Sequence, residues 1–213
     1  MKKARIILAD DHTLMLDALE NLLATEYEVV GVFHDGRSLV ENAVTLDPNV
    51  VVLDIGMPTM NGLLAGELLK KAMPAVKLVY MTMNRHSDLA AEAFQLGASA
   101  YLLKTSAGSE LLHALSEVLS GRTYVTPLLK TEMEEPSVQS LKSQKRRSRL
   151  TARQQQILQL LAEGLTMKEI GFKLDLSTRT IAFHKYSIMA QLEIKNTAEL
   201  VVYATRHAMV CAS

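Results

Sequence analysis

The sequence predicts two domains, an α/β domain with a doubly wound sheet of five parallel strands and a small all-α domain after it. Short apolar runs alternate five times with segments of helical spacing before residue 122. Residues 130–149 are polar and charged, which is typical of an interdomain linker. Residues 1–144 carry 12 Lys and Arg against 18 Asp and Glu, net −6, whereas residues 145–213 carry 11 against 5, net +6. This change of sign indicates two domains with different partners.

The overall composition excludes several classes of protein. The 213 residues have a formal net charge of zero, which argues against a uniformly basic nucleic-acid binder. A single cysteine, Cys211, excludes an internal disulfide framework and a cysteine zinc cluster. No apolar run approaches the roughly 18 residues of a membrane span, and the run over residues 6–9 is shorter than a signal-peptide core of about 7–15 residues. We therefore expect a cytoplasmic protein.

Five short apolar runs predict the strands of the first domain. The first three runs are largely continuous and β-branched, as expected for strands that are covered on both faces. The runs are Arg5–Ala9, Val29–Phe33, Val50–Leu53, Leu78–Met83 and Ala100–Leu103. Because crossovers between parallel strands are right-handed, this order predicts a parallel sheet with helices on both faces.

Apolar residues at helical spacing predict a helix after each strand. The first helix presents Leu14, Ala18, Leu19, Leu22 and Leu23 on one face, with Thr13 as its candidate N-cap. The remaining four faces are Leu39, Ala43 and Val44; Leu63, Leu64, Leu68 and Leu69; Leu89, Ala93 and Phe94; and Leu111, Leu112, Leu115, Val118 and Leu119.

Polar side chains follow four of the predicted strands. Asp10 and Asp11 come after the first strand, Asp54 after the third, Thr82 near the end of the fourth and Lys104 after the fifth. Ligands of such sheets bind at the carboxyl ends of the strands, so we expect these five residues at one edge. Clustered carboxylates need a hard divalent cation, above all Mg²⁺. One carboxylate can then attack phosphorus and form an aspartyl phosphate, whose oxygens a lysine and a hydroxyl stabilise.

These residues and their neighbours resemble the receiver domain of two-component response regulators, a flavodoxin-like fold. The resemblance covers about residues 4–121 and includes Asp10-Asp11, residues 54–62 (DIGMPTMNG), Thr82 and residues 97–104 (GASAYLLK). It implies that a sensor histidine kinase is the phosphoryl donor.

The resemblance also implies a role for each residue of the site. Asp54 would be the phospho-acceptor, Thr82 and Lys104 would contact the phosphoryl group, and Tyr101 would be an aromatic switch that turns inward as Thr82 moves. The implied Mg²⁺ ligands are Asp10, Asp11, Asp54 and the main-chain carbonyl of Gly56.

Helical spacing after Leu150 predicts four helices in the second domain. The segments are Ala152–Ala162, Met167–Leu174, Ser177–Leu192 and Thr197–Met209. Their candidate N-caps are Thr151 with Gln154 three residues on, Thr166 with Glu169, then Ser177 and Thr197. The second and third helices flank a short turn at Asp175-Leu176, which favours a helix-turn-helix.

The amino-acid sequence of this domain resembles the LuxR-type DNA-binding domain over about residues 149–208. The matching segments are residues 150–153 (LTAR), 162–166 (AEGLT), 168–170 (KEI), 176–181 (LSTRTI), His184 and 199–200 (EL). With the receiver, this resemblance indicates the NarL/FixJ group of response regulators. It implies a receiver over residues 1–122, a linker over 123–148 and a DNA-binding domain over 149–213.

In this resemblance Ser177–Leu192 is the recognition helix on double-stranded DNA. The implied DNA-binding residues are Lys168, Arg179 and Lys185, mainly at phosphates, and Ala182, Phe183 and Tyr186, at base edges or in the groove. Ala182 can contact only a thymine methyl group, so we expect weaker base readout there and more weight on DNA shape. Phe183 has an alternative position, packed against a neighbouring helix.

The family binds DNA as a homodimer and dimerises through its last helix. In this chain Leu200, Val201 and Ala204 form an apolar stripe there, and packing within the monomer is the competing interpretation.

The sequence therefore predicts a phosphorylation-dependent transcription regulator that binds DNA. It would not be an enzyme beyond self-phosphorylation from small donors and self-dephosphorylation. Two alternatives stay open. The first is a constitutive DNA-binding protein with a receiver that only docks partners. The second is an aspartate-nucleophile phosphatase, whose nucleophile would lie at Asp10-Asp11 after the first strand.

Overall fold

The computed structural model describes residues 3–83, 87–105, 108–134 and 150–207. Most of the expected linker, residues 135–148, and Cys211 lie outside these ranges. The chain divides into two units between Glu135 and Pro136. Within the described ranges, every helix is too short or too polar to cross a membrane.

The first unit is a parallel sheet with the strand order β2-β1-β3-β4-β5-β6. The strands are β1 (Arg5–Ala9), β2 (Glu28–Phe33), β3 (Val50–Asp54), β4 (Lys77–Thr82), β5 (Ala100–Leu103) and β6 (Tyr124–Val125). The helices are α1 (Thr13–Leu23), α2 (Gly36–Leu46), α3 (Gly62–Ala72), α4 (Ser87–Gln95), α5 (Gly108–Leu119) and α6 (Pro127–Glu134). The doubly wound fold is confirmed.

The continuous apolar strands are the buried ones. Every residue of β3 is buried, and β1 is buried from Ile6 to Ala9. One core layer packs beneath α1 and α5 and contains Ile6, Leu8, Leu16, Leu19, Leu23, Val52, Val79, Leu111 and Leu115. This burial on both faces explains why the strands carry continuous apolar runs instead of alternating ones.

The sheet has six strands, so the predicted count of five is wrong by one. The two residues of β6 pair with β5 in parallel, Tyr124 opposite Ala100 and Val125 opposite Tyr101. Two residues carry no periodicity, so the pattern of apolar residues could not reveal this strand. Residues 124–134, expected in the linker, instead form β6 and α6 of the first unit.

Thr126 joins this added segment to β5 through two hydrogen bonds and to α5 through a third. Its N–H donates to the Tyr101 carbonyl (3.0 Å), and its hydroxyl oxygen accepts from the Leu103 N–H (3.2 Å). The hydroxyl also donates to Glu110 Oε1 (2.8 Å). Because Thr126 and Leu129 are buried, the segment is packed onto the sheet.

The described part of the second unit, residues 150–207, contains four helices around one apolar core. The helices are α7 (Ala152–Ala162), α8 (Met167–Leu174), α9 (Thr178–Gln191) and α10 (Thr197–Arg206). Their fully buried core residues include Ile157, Leu158, Ile170, Ile181, Ile188, Leu200 and Ala204. The chain turns sharply between α8 and α9, where Asp175 has a left-handed φ of 53°. A Cβ on Gly171 would lie 2.6 Å from the Leu176 carbonyl oxygen, so this turn requires glycine.

Side-chain caps begin the helices of both units. The predicted capping boxes Thr151–Gln154 and Thr166–Glu169 are both present, and the Ser177 side chain accepts from the Thr180 N–H. Two predicted caps are wrong by one residue. His12, not Thr13, precedes α1, and Asn196, not Thr197, caps α10 by accepting from the Glu199 N–H (2.9 Å). Asn and Thr are both good N-caps, so residue type alone does not separate neighbours.

Candidate functional site

The carboxyl edge of the sheet brings together the polar residues expected there. Asp10 follows β1, Asp54 and Thr82 end β3 and β4, and Lys104 follows β5. The Lys104 N–H donates to the Thr82 carbonyl at 2.8 Å, which joins the ends of β4 and β5. Asp10, Asp54 and Thr82 are buried, so the reactive groups lie at the base of the edge.

Lys104 forms ion pairs with two buried carboxylates. Its Nζ lies 2.7 Å from Asp10 Oδ2 and 3.0 Å from Asp54 Oδ2. All three side chains are at most 5% exposed. One ammonium group therefore neutralises only one of the two carboxylates, and these three side chains keep an excess of negative charge.

Burial and charge shift the pKa values of this group. Burial raises the pKa of Asp54, Lys104 opposes this rise, and Asp10 adds to it. Burial lowers the pKa of Lys104, but the charges of Asp54 and Asp10 outweigh it and raise that pKa overall. Lys104 therefore stays protonated, and any further positive charge at the site stabilises the ionised form of Asp54.

The three carboxylates of the site offer the oxygen ligands that a hard divalent cation prefers. One potential ligand atom each from Asp10, Asp11, His12 and Asp54 lies within 4.8 Å of the others. Three carboxylates and one ammonium group leave a net charge of −2, which an ion such as Mg²⁺ would neutralise. The Gly56 N–H donates a hydrogen bond to Asp54, which brings the main chain of residue 56 to the same site.

The loop after β3 is folded back tightly on the site. The Gly62 N–H donates to the Ile55 carbonyl at 2.9 Å. A Cβ on Gly62 would overlap the main-chain carbonyl of Asp54, so glycine is required at this position. The Asn61 side chain accepts from the Leu64 N–H at 2.9 Å and caps α3.

His12 is a neighbour of the site that the sequence did not reveal. Its Nδ1 lies 3.1 Å from Asp10 Oδ1 and 2.8 Å from Asp11 Oδ1. The hydrogen bond to Asp10 and the charge of Asp11 raise the pKa of His12. Its position directly after the two aspartates was the one sequence feature that pointed to the site. A single histidine at this position has no spacing to other residues that would predict a metal ligand.

Tyr101 points into the protein. Its side chain is fully buried, and its hydroxyl has no hydrogen-bond partner among the described residues. Burial raises the pKa of Tyr101, and the charge of Asp54 adds to the rise. The ring therefore lies inward in this structure.

The residues predicted to bind DNA are not equally exposed. Arg179, Phe183 and Tyr186 are exposed on α9, and Ala182 is half-buried. Phe183 is 70% exposed, and its ring meets the edge of His184 on the same helix. This exposure leaves the Phe183 ring available to a ligand.

Lys185 and Lys168 differ from those residues in position. Lys185 lies four residues after Ile181 and three before Ile188, so it shares the side of α9 that carries the buried residues. Its side chain is half-buried, whereas Lys168, in the first turn of α8, is exposed. Phe172 of α8 is 94% exposed and was not predicted as a functional residue, because one aromatic residue opposite a core face has no distinctive spacing.

The apolar stripe of α10 contributes to the core of its own unit. Leu200 and Ala204 are fully buried there, and Val201 is half-buried. Val202, on another side of the helix, is 51% exposed. Packing within the monomer therefore accounts for most of the predicted stripe.

Two family models match the two units of the chain. The response regulator receiver domain matches residues 6–116, and the luxR family of bacterial regulatory proteins matches residues 148–204. The chain belongs to the NarL/FixJ family of two-component response regulators, with a receiver domain and a LuxR-type DNA-binding domain.

Individual relatives are similar over nearly the whole length. The transcriptional regulatory protein LnrK of Bacillus subtilis is 30% identical over an alignment 213 residues long. The alignment covers 95% of this chain and 97% of LnrK. The nitrate/nitrite response regulator NarL of Escherichia coli is 30% identical over 204 residues and 94% of each chain. A solved structure of the Salmonella typhimurium RcsB response regulator aligns with a TM-score of 0.63 and 29% identity, covering 95% of this chain and 97% of that one.

Proposed function

We propose that this response regulator accepts a phosphoryl group on Asp54 and thereby changes its dimerisation and DNA binding. A sensor histidine kinase is the proposed donor. The observation that carries the proposal is the buried cluster in which Lys104 forms ion pairs with both Asp10 and Asp54. A buried carboxylate with a raised pKa, beside a lysine at a sheet edge, is typical of a group that reacts.

In the proposed reaction an Asp54 oxygen attacks phosphorus, and the donor nitrogen leaves with the electrons of its bond to phosphorus. Lys104 exchanges its ion pair with the carboxylate for one with a phosphoryl oxygen, and the Thr82 hydroxyl donates to another. Bound Mg²⁺, held by Asp10, Asp11, Asp54 and the main-chain carbonyl of Gly56, would supply positive charge to the phosphoryl oxygens.

The proposed switch links Thr82 to Tyr101. Movement of Thr82 toward the phosphoryl group opens space that the Tyr101 ring fills, so phosphorylation stabilises one of two existing arrangements. The inward Tyr101 ring of this structure is one of these two arrangements, the one that phosphorylation would stabilise. The hydrogen bond between the ends of β4 and β5 supports the link between the two residues.

We propose no turnover of a separate substrate, only self-phosphorylation from small donors and self-dephosphorylation. The competing phosphatase would use a nucleophile directly after β1. Lys104 contacts both Asp10 and Asp54, so these contacts alone do not choose between them. The match of residues 6–116 to the response regulator receiver domain favours Asp54 as the acceptor.

The second unit is the proposed reader of promoter DNA. Lys168, Arg179 and Lys185 would contact phosphates, and Ala182, Phe183 and Tyr186 would enter the groove. Solved structures of the RcsB–DNA complex, and of two RcsB dimers bound to two parallel DNAs, support binding as a homodimer. A regulator of promoters acts in the cytoplasm, which is the proposed location.

The proposed domain limits differ slightly from those expected from the sequence. We propose that the receiver extends to residue 134, because β6 and α6 belong to its sheet and its core. The linker would then cover residues 135–148, and the DNA-binding domain would begin at residue 149.

The phospho-acceptor is tested by mass spectrometry of the full-length protein after incubation with acetyl phosphate and Mg²⁺. We expect one phosphoryl group on the wild type, none on Asp54→Asn, and one on Asp17→Asn, which changes an exposed aspartate of α1. Phosphate on Asp10 or Asp11, or steady release of phosphate from p-nitrophenyl phosphate, would favour the phosphatase instead.

A further inference from the structure

The exposed face of α9 is unusually apolar for a surface that meets DNA. Arg179, Ala182, Phe183 and Tyr186 follow the spacing i, i+3, i+4 and i+7, so they share one face of the helix. Phe183 is 70% exposed and Tyr186 is 64% exposed. We call these four residues the aromatic face.

The aromatic face carries little of the hydrogen-bonding equipment that reads most bases. Asn, Gln, Arg and Lys read purines by paired hydrogen bonds in the major groove. Of these, the face holds only Arg179, which lies in the first turn of α9, and Lys185 lies on the side of the buried residues. Ala182 and Phe183 have no polar side-chain atom, so they can recognise only an apolar group.

One base carries an apolar group at its major-groove edge. Thymine presents a 5-methyl group there, and alanine and phenylalanine side chains make favourable contacts with it. The second domain and the basic end of the linker carry a net charge of +6, which favours a polyanion over an apolar protein surface as the occupant.

We infer that the aromatic face selects thymine, by contacts of Ala182 and Phe183 with 5-methyl groups in each half-site. This inference rests on the proposed DNA binding and adds its chemical specificity. Contact with the methyl groups removes the exposed Phe183 ring from water, so the same surface that is unfavourable in the free protein contributes to binding.

The test replaces thymine by uracil, which keeps base pairing and removes only the methyl group. A preferred duplex is first selected from random DNA with the full-length protein, Mg²⁺ and acetyl phosphate. Each dT is then replaced by dU, one position at a time, and affinity is measured by fluorescence anisotropy. We expect binding about 4-fold weaker for each contacted methyl group, at two or more positions in each half-site.

Two variants assign the effect to the aromatic face. Phe183→Ala should weaken binding to the dT duplex and reduce the dU effect at one position in each half-site to less than about 2-fold. Phe172→Ala removes an equally large exposed ring from α8 and should leave the dU effect unchanged. Thermal unfolding of each variant checks that the fold is retained.

The outcomes separate this inference from the proposed function. Specific binding with equal affinity for every dU duplex would overturn thymine selection and leave DNA recognition intact. A Phe183→Ala protein that binds the dT duplex as tightly as the wild type would also overturn it. Failure to select any sequence, with or without acetyl phosphate, would contradict the proposed function and this inference together.

Discussion

The carboxyl edge of the sheet and the aromatic face of α9 place charge and apolar surface in opposite ways. At the edge, Asp10, Asp54 and Lys104 are charged groups withdrawn from water. On α9, Phe183 and Tyr186 are aromatic rings left in water. Both arrangements cost folding free energy, and each would become favourable on binding its proposed ligand, a cation and phosphoryl group in one case and DNA in the other.

The largest expected effect comes from breaking the charge cluster. Lys104→Ala leaves Asp10 and Asp54 buried without their counter-charge, so we expect a loss of about 3–5 kcal/mol in unfolding free energy. Urea denaturation followed by circular dichroism measures it. Added Mg²⁺ should restore part of the loss, because the cation replaces the missing positive charge. Arg179→Ala, at an exposed position of α9, should change the unfolding free energy by less than about 0.5 kcal/mol. An equal loss for Lys104→Ala and Arg179→Ala would contradict the contrast between the buried charge cluster and the exposed face.

The two sides of α9 provide the next contrast. Ile181→Ala removes a fully buried side chain and should cost about 2–5 kcal/mol. Phe183→Ala, two residues along the same helix, should cost no more than about 0.5 kcal/mol but weaken DNA binding. Chemical denaturation and anisotropy on the same samples separate the two effects. A large loss of stability in Phe183→Ala would mean that its ring packs against a neighbouring helix after all.

The hydrogen bonds of Thr126 should make a smaller contribution to the free energy of unfolding. Thr126→Val keeps the shape of the side chain but leaves the Leu103 N–H without its acceptor and removes one of the two hydroxyl donors to Glu110. We expect a loss of about 1–3 kcal/mol and faster amide exchange in α6, measured by hydrogen–deuterium exchange. Thr126→Ser should restore protection, and Thr123→Val, at an exposed position, is the matched control. Unchanged exchange in α6 would show that the segment is held by other contacts.

The smallest expected effects distinguish a charged helix cap from a neutral one. Burial raises the pKa of Asp35, but hydrogen bonds from Ser38 and Arg37 outweigh it and lower the pKa below its usual value. Its contribution is therefore fully present above the unfolded pKa of about 3.9 and is lost as pH falls through the folded value. Asp35→Ala should cost about 1 kcal/mol at pH 7 and less at pH 2, whereas Ser177→Ala should cost about 1 kcal/mol at both. Thermal unfolding at the two pH values tests this, and equal pH dependence would contradict it.

Most of the sheet and its polar edge could be predicted from the sequence because both depend on short-range patterns. Apolar runs located β1 and β3, and the rule that parallel strands end at one edge located Asp54 and Lys104. The strand β6 could not be found in this way. Its two residues have no period, and it forms through the pairing of Tyr124 and Val125 with β5, a contact between residues far apart in the chain.

The proposed DNA-binding surface was predicted less completely. The capping boxes of α7 and α8 are local and were visible in the sequence. The half-buried position of Lys185 follows from its spacing to Ile181 and Ile188, whereas the resemblance implied only that it contacts phosphates. The exposure of Phe172 depends on how α8 packs in its unit, which no short pattern reveals.

The most direct test measures whether phosphorylation of Asp54 controls DNA binding. The affinity of the full-length protein for its selected duplex is measured with and without acetyl phosphate in the presence of Mg²⁺, for the wild type, Asp54→Asn and Asp17→Asn. We predict that acetyl phosphate changes the affinity of the wild type and of Asp17→Asn and leaves that of Asp54→Asn unchanged. If the affinity of the wild type is the same with and without acetyl phosphate, although Asp54 is phosphorylated, then phosphorylation of Asp54 does not control DNA binding and the proposed function is contradicted.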